Sequence, residues 1–442
     1  MFEIKDKPKM VTRALLVSVF VKPEEEEEAG SLLDELEELV NTLGIPIFQK
    51  RVVHIREHHA RLYLGSGKAQ ELIDLAKEEK LDVIIFDNEL TPAQQRNWEK
   101  LSGLCVIDRQ EVILDIFGKR AQTKEARLQV DLARMEYSLP RLTRAWSHFG
   151  HQGGGIGGKG EGESQLEQDK RLIRKQIENL RKELEQVRQI RATQRKTRQR
   201  TPVPNAAIVG YTNAGKSSLL RRLTEADVLV EDKLFATLDT TTRKVHLPNK
   251  QPLLLTDTVG FVRKLPHKLV EAFNATLEES VLADFLIHVV DASQPNAIAF
   301  YQTTMKVLRE LGAEEKRMLL VFNKTDKVED LSILGNLKHH FPDALFISVH
   351  NGKGLDELLH RMETMIAGGS QALEFEIPHA LGNIAARLYA EGRVLHADYE
   401  GELIRITAVT SPKLAEQLSE FVVGKESVTS FTPFEKSVPA VS

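Results

Sequence analysis

Cysteine is nearly missing from this sequence: Cys105 is the only one in 442 residues. That excludes an internal disulfide framework and any cysteine-built zinc site, and it suits a reducing cytoplasm. Long hydrophobic runs are missing too. No apolar stretch approaches the ~18 residues that a membrane span needs. The nearest imitation of a secretion signal is Lys5, Lys7, Lys9 and Arg13 ahead of an apolar run at 14–21. Lys22-Pro23 and then Glu24 to Glu28 follow it with no small-residue cleavage site, so the run reads as a buried strand. A cytoplasmic protein is expected, with peripheral attachment at a membrane left open. An excess of one charge is also missing: the formal net charge is −4, which argues against a uniformly basic nucleic-acid binder. What is present is 41 % hydrophobic residues, enough for several cores. At ~150 residues per domain the length suggests about three domains.

Strand-length apolar runs at 14–21, 46–53, 83–86 and 104–107 alternate with helical patterns at 31–42, 68–79 and 92–101. Ser31 and Thr91 are placed to cap the first and third of these helices. The alternation implies an α/β domain with a mostly parallel sheet over 1–119. Residues 120–148 read as one long helix, with Ala126, Val130, Ala133 and Tyr137 on one face. Eight glycines then crowd 149–162. A second long helix follows over 163–200, where Ile173, Ile177, Leu180, Leu184 and Val187 alternate steps of four and three, a coiled-coil seam. Two helices around a glycine-rich tip make a hairpin, 120–200. Between residues 170 and 200 twelve lysines and arginines face three glutamates, a net +9, which leaves −13 for the rest of the chain. Thr201-Pro202-Val203-Pro204 ends the helix.

Strand–helix alternation resumes over 201–367. Residues 368–442 read as a smaller β-α-β-β-α unit, compatible with a ferredoxin-like α+β fold, and 438–442 as a loose end. The fold class is thus α/β and multidomain: an N-terminal α/β domain, a long helical hairpin, a phosphate-loop domain and a small α+β C-terminal domain.

The strongest motif is Gly210-Tyr211-Thr212-Asn213-Ala214-Gly215-Lys216-Ser217, with Ser218 opening a helical run. It fits the phosphate-loop pattern, between an apolar strand and a helix. Its glycines let backbone N–H groups curl round phosphate oxygens at a helix N-terminus. Lys216 would reach the β- and γ-phosphates and Ser217 would hold Mg²⁺. Asp257-Thr258-Val259-Gly260 follows the next apolar strand, where an Asp can hold Mg²⁺ through water and a glycine N–H can sense the γ-phosphate. Asn323-Lys324-Thr325-Asp326 follows another. Its carboxylate can accept the ring N–H and exocyclic amine of guanine, an arrangement adenine does not offer, which decides GTP over ATP. Ser348-Val349-His350 completes the series as the loop near the guanine carbonyl. All four motifs stand in order at strand exits, where an open α/β sheet places its ligand.

A switch threonine belongs between the phosphate loop and Asp257, and Thr237, Thr240, Thr241 and Thr242 all qualify chemically. Phe261 stands where many small GTPases place a water-orienting glutamine. Phenylalanine cannot orient water, so intrinsic hydrolysis should be slow and the missing group should come from elsewhere. Gly153 to Lys159 imitates a second phosphate loop, but no strand precedes it and Gly160 follows in place of Ser or Thr. It reads as a tip that probes a partner. His54, His58 and His59, like His339-His340, read as exposed histidines and not as a metal site.

These residues carry a family resemblance over nearly the whole length. The stretches are Phe86-Asp87-Asn88-Glu89-Leu90-Thr91-Pro92-Ala93-Gln94-Gln95-Arg96-Asn97, Val106-Ile107-Asp108-Arg109, Ile116-Phe117, and Ala121-Gln122-Thr123-Lys124-Glu125-Ala126-Arg127-Leu128-Gln129-Val130. The glycine-rich tip with Gly162-Glu163, the phosphate loop and Phe235-Ala236-Thr237-Leu238-Asp239 complete the set. The chain resembles the HflX family of ribosome-associated GTPases. The resemblance implies a Mg²⁺-dependent GTP hydrolase, with Thr237 as the switch threonine that ligates Mg²⁺ beside Ser217 and Asp257. It implies a catalytic set of Lys216, Thr237 and Gly260. It also implies binding to the 50S subunit and its rRNA, with the tip directed toward the peptidyl-transferase region, and the splitting of stalled or idle ribosomes under stress. A monomer is expected, and an ATPase activity of the N-terminal domain is left open. Thr240, Glu161 and Val349 depart from the family's usual proline, proline and alanine; none removes a ligand. Asp326→Asn is expected to move base preference from guanine toward xanthine. Competition binding with both nucleotides checks this, and retained GTP affinity would refute the base-reading role.

Overall fold

The computed structural model describes residues 13–142, 161–199, 203–224, 234–235, 240–264, 279–367, 371–399, 401, 403–410 and 412–426. The glycine-rich tip at 149–160, the segment Ala236-Thr237-Leu238-Asp239, the segment 143–148 of the expected long helix and the expected loose end at 438–442 lie outside these residues.

The first sheet is fully parallel, in the order β2-β1-β3-β4, from β1 (Ala14–Phe20), β2 (Ile47–His54), β3 (Val83–Phe86) and β4 (Cys105–Asp108). Strand residues alternate between two cores, as burial on both faces requires. Leu16, Val83 and Ile85 meet α1 (Glu26–Leu43) and a later helix, α4 (Arg109–Arg120). Leu15, Val17 and Ile84 meet α2 (Ser66–Glu78) and α3 (Pro92–Ser102). Thr91 caps α3 as expected, its hydroxyl accepting from the Gln94 amide. Ser31 does not cap α1. That helix starts at Glu26, because Glu26, Glu27 and Glu28 favour its positive N-terminal end and continue it upstream. Glu24 and Glu25 form a 3₁₀ turn with Pro23, and Glu26 to Glu28 are the first turn of this helix.

The single helix expected over 120–148 is broken. Helix α4 ends at Arg120, Ala121 is extended, and Thr123 caps a new helix α5 (Lys124–Ser138) by accepting from the Ala126 amide. A 3₁₀ turn, Leu139–Arg141, closes it. Helix α6 (Glu161–Gln199) packs back against α5. Its seam is as expected, with Ile177 and Leu184 buried and Ile173, Leu180 and Val187 partly so. Arg181 pairs with Glu136 across it at 2.6 Å.

The second sheet runs β10-β9-β8-β5-β7-β6. Its strands are β5 (Asn205–Gly210), β6 (Thr241–His246), β7 (Pro252–Asp257), β8 (Phe285–Asp291), β9 (Met318–Asn323) and β10 (Leu345–Phe346). Only β6 is antiparallel, paired with β7. This edge strand has no expected counterpart because Thr241 to His246 alternates no apolar face. Helix α7 (Lys216–Thr224) follows β5; α8 (Ala297–Glu310), α9 (Leu331–His340) and α10 (Leu355–Ala367) come later.

The third sheet is antiparallel, in the order β12-β13-β11-β14, from β11 (Gln371–Pro378), β12 (Arg393–Asp398), β13 (Leu403–Thr410) and β14 (Val422–Glu426). Helices α11 (Gly382–Glu391) and α12 (Pro412–Gln417) supply Leu388 and Leu414 to its core beside Phe375 and Ile406. The unforeseen β14 extends the expected β-α-β-β-α order to the full ferredoxin-like one.

Candidate nucleotide site and its tie to the first sheet

The phosphate loop leaves β5 at the point where strand order reverses, with β7 on one side and β8 on the other. The loop then runs into the N-terminus of α7, where unpaired N–H groups favour an anion. Gly215 has φ +96°, and a Cβ there would collide with the Asn323 carboxamide. Asn213 also takes the left-handed conformation, at φ 60°. The buried Lys216 ammonium folds onto the loop and donates to the Tyr211 carbonyl at 2.8 Å. Burial lowers its pKa to about 8; Asp257 pulls it back up and Lys324 pushes it further down.

Ser217 Oγ donates to Asp257 Oδ2 at 2.6 Å. A hydroxyl and a carboxylate brought this close are hard oxygen donors of the kind that suits Mg²⁺. The residues therefore fit that ion, which would neutralise charge on nucleotide phosphates. The third expected ligand, Thr237, lies outside the described residues, as do its neighbours Ala236, Leu238 and Asp239. The Thr258 hydroxyl is turned into the sheet, donating to the Ile208 carbonyl at 2.7 Å. Gly260 lies over the loop: a Cβ on it would sit 2.8 Å from Lys216 Nζ and 2.7 Å from Thr212 Cγ2. A glycine is needed for that approach. Phe261 is buried, and its backbone pairs with the loop, accepting from the Thr212 amide at 2.8 Å and donating to the Gly210 carbonyl at 3.2 Å. Val259 is buried beside it.

The base-side loops are fastened to the phosphate loop by Asn323. Its Nδ2 donates to the Ala214 carbonyl at 2.9 Å, and its Oδ1 accepts from the Val349 amide at 3.1 Å. Lys324, at φ 61°, pairs with Asp291 at 2.8 Å. Asp326 Oδ1 accepts from Ser348 Oγ at 2.5 Å, and this bond leads in holding its carboxyl below the usual range. It is thus ionised at neutral pH, as acceptance of two guanine N–H groups requires. The His350 side chain is exposed. Val349 is buried in the core of the second sheet's unit.

The Tyr211 side chain leaves the phosphate site altogether. It stacks on Phe300 with centroids 4.1 Å apart, and its hydroxyl accepts from the Arg263 amide at 2.6 Å. The same hydroxyl donates to Glu35 of α1 at 2.9 Å. Glu35 also pairs with Arg263 at 2.8 Å and with Arg109 at 3.1 Å. Arg109 pairs with Asp87 at 2.7 Å, and Asp87 in turn with Lys264 at 2.8 Å. Burial pushes the Asp87 carboxyl up, and Arg109 with Lys264 more than reverses this, leaving it below its ordinary value. Phe235, two residues before the expected switch threonine, packs edge-on against Phe117 of α4 at 4.6 Å. The first sheet's unit therefore grips the chain on both sides of the phosphate site.

Glu35, Arg263 and Lys264 were not singled out from sequence, nor Asp87 and Arg109 as a site. One local signal exists: Glu35 falls among Leu32, Leu33, Leu36 and Leu39 on a helix whose apolar side is buried. An unpaired acid does not sit there.

Three family models match the chain: "GTP-binding GTPase N-terminal" over 30–118, "GTP-binding GTPase Middle Region" over 120–198 and "50S ribosome-binding GTPase" over 205–324. The chain is 51 % identical to GTPase HflX of Akkermansia muciniphila over 96 % of its length and 100 % of that protein. It is 39 % identical to GTPase HflX of Escherichia coli K12, covering 85 % and 88 % of the two chains. Among solved structures, a GTP-binding protein from Sulfolobus solfataricus in complex with GDP is 26 % identical over 80 % of this chain and 98 % of that one, with a TM-score of 0.42.

Lys216 supplies a pH test of the phosphate site. Phosphate favours the charged ammonium. Below pH 8 the group is already protonated in the nucleotide-free protein, and binding takes up no proton. Above pH 8 binding must take one up, so GDP affinity is expected to fall by up to about tenfold per pH unit. Calorimetry in buffers of different ionisation enthalpy measures both effects; constant affinity and no proton uptake between pH 7 and pH 9.5, roughly the span of the titration, would contradict this placement of Lys216.

Proposed function

The chain belongs to the HflX family of GTPases, and from that membership we propose that this GTP hydrolase binds the large ribosomal subunit and dissociates stalled or idle ribosomes under stress. Lys216 would neutralise the β- and γ-phosphates, Ser217, Asp257 and Thr237 would hold Mg²⁺, and the Gly260 N–H would meet the γ-phosphate. The rest of the phosphate loop, Gly210 to Ser218, would contact phosphates through its backbone. Asn323, Lys324, Asp326 and the loop Ser348-Val349-His350 would hold guanine. We divide the chain into four units, 1–119, 120–200, 201–367 and 368–442, and all of these roles fall in the third.

One observation carries the GTP-driven reading. Arg263 and Lys264, three and four residues beyond Gly260, are bonded to Glu35 and Asp87 of the first sheet's unit. The arm built from α5 and α6 grows out of that same unit through α4. A γ-phosphate that draws Gly260 toward Lys216 therefore pulls on a segment tied to the root of the arm. The arm's seam is turned inward, while Arg171, Arg174, Lys175, Arg181 and Lys182 of α6 are exposed. Ribosomal RNA offers the phosphates such a face takes up, in a salt-dependent way.

A second reading is favoured by Phe261, whose buried ring offers nothing to an attacking water: a GTP-gated RNA-binding or assembly factor that does not split ribosomes. Incubating intact 70S ribosomes with the protein and GTP, then measuring turnover and sedimentation, separates them. The splitting reading predicts stimulation by isolated large subunits of at least about tenfold, ~1.4 kcal/mol of barrier, together with loss of the 70S peak. Unchanged 70S peaks would sink the splitting claim, and no stimulation would favour the scaffold.

A further inference from the structure

At the root of the arm, α4 and α5 border a half-open cleft of about 290 Å³, with Gln95 of α3 and Leu142 at its edge. That is the small end of the ~300–1,000 Å³ range of ligand clefts. Leu114, Met135, Leu142 and the Tyr137 ring give it an apolar wall. Most of its polar wall groups are already engaged. Gln95 accepts from Arg141 Nε at 2.8 Å and donates to the Val106 carbonyl at 2.7 Å. Arg141 stacks over Tyr137 at 3.6 Å and donates to the Leu90 carbonyl at 2.8 Å. Arg134 pairs with Asp115 at 2.6 Å.

Glu111 differs. The Tyr137 hydroxyl, with one proton to donate, lies between two carboxylates, its oxygen 3.0 Å from Asp108 Oδ1 and 3.4 Å from Glu111 Oε2. Asp108 also accepts from the Leu90 and Glu111 amides and lies 3.5 Å from Arg141. Asp108 is thus filled, and Glu111 is left with the longer share of one proton. Three carboxylates, Asp108, Glu111 and Asp115, meet two guanidiniums, Arg134 and Arg141. Among the described residues the cavity therefore faces a carboxylate with no ion pair of its own, beside an apolar wall.

We propose that this cavity binds a small organic cation, an amine or amidine on an apolar body, with Glu111 as its counter-ion. The shape excludes a bulky nucleotide, and the two guanidiniums disfavour a polycation. A bound cation would lie against α5, where the arm begins. This site is separate from the nucleotide site and does not rest on the ribosomal reading.

The groups facing Glu111 are Asp108, Asp115, Arg141, Tyr137 and, from the start of β4, Cys105. Burial first, then Asp108 and Asp115, push the Glu111 carboxyl up to about 7. Cation binding needs the ionised form, so affinity should rise about fivefold from pH 6 to pH 7, about twofold more by pH 8, and level off above.

The test is calorimetric titration of the full chain with benzamidinium and cyclohexylammonium, each against an uncharged isostere, benzamide and cyclohexanol. Saturable binding of at least one cation is expected, with dissociation constants of about millimolar or tighter. It should weaken tenfold or more in Glu111→Gln and for the neutral isosteres. Guanine-nucleotide affinity should stay unchanged in Glu111→Gln, which shows that the variant is folded. Equal binding to both proteins, equal binding of isosteres, or no saturable binding of either cation up to roughly 10 mM would overturn the proposal.

Discussion

Two buried carboxylates, Glu35 and Asp87, constrain how the molecule is put together. Neither can be left unpaired away from water, and a single buried guanidinium, Arg109, lies between them. The first sheet's unit thus carries two acids and one base at this place. Arg263 and Lys264 of the second unit supply the missing positive charge. Removing one partner of a buried pair costs about 3–5 kcal/mol, because the other charge stays buried. The two units are therefore held together at the segment that follows Gly260. Residues from both also share one hydrophobic core, in which Phe117 and Ala126 join Phe235 and Phe261.

The position of this lattice follows from topology. An open parallel sheet leaves a crevice beyond the carboxyl ends of its strands, where strand order reverses. The second sheet fills its crevice with the phosphate loop. The first sheet reverses between β1 and β3, and Asp87 directly follows β3. The occupant of that crevice is the pair Arg263 and Lys264. Two doubly wound sheets thus meet at their ligand ends, and the ligand of the first is a segment of the second. Tyr211 joins them, since its backbone belongs to the phosphate loop and its hydroxyl to the lattice.

The nucleotide motifs were legible because each is short and contiguous, and the strands that present them are apolar runs of ordinary length. The arm's seam was legible from its period. The lattice was not, because Glu35 and Arg263 lie 228 residues apart and no local pattern links them. The break at Ala121 was hidden by a helical period on both sides of it; Thr123 was the signal, a capping residue two positions before an acid. The polar edge strand β6 was missed because its register comes from pairing with β7 and not from a buried face of its own. Ser31 shows the converse. It looked like a cap in sequence, yet in the fold its carbonyl and hydroxyl both accept from Arg263 at 3.0 Å.

The central claim is that nucleotide state passes from the phosphate loop to the first sheet through Glu35 and Arg263. A double-mutant cycle on Glu35→Gln and Arg263→Gln measures it, with the ratio of affinities for a non-hydrolysable GTP analogue and for GDP as readout. Each single variant should change that ratio, and the double variant should depart from their sum by about 1 kcal/mol or more, as for residues in one buried network. Single variants that leave the ratio as it was, or effects that add within ~0.3 kcal/mol, would contradict it.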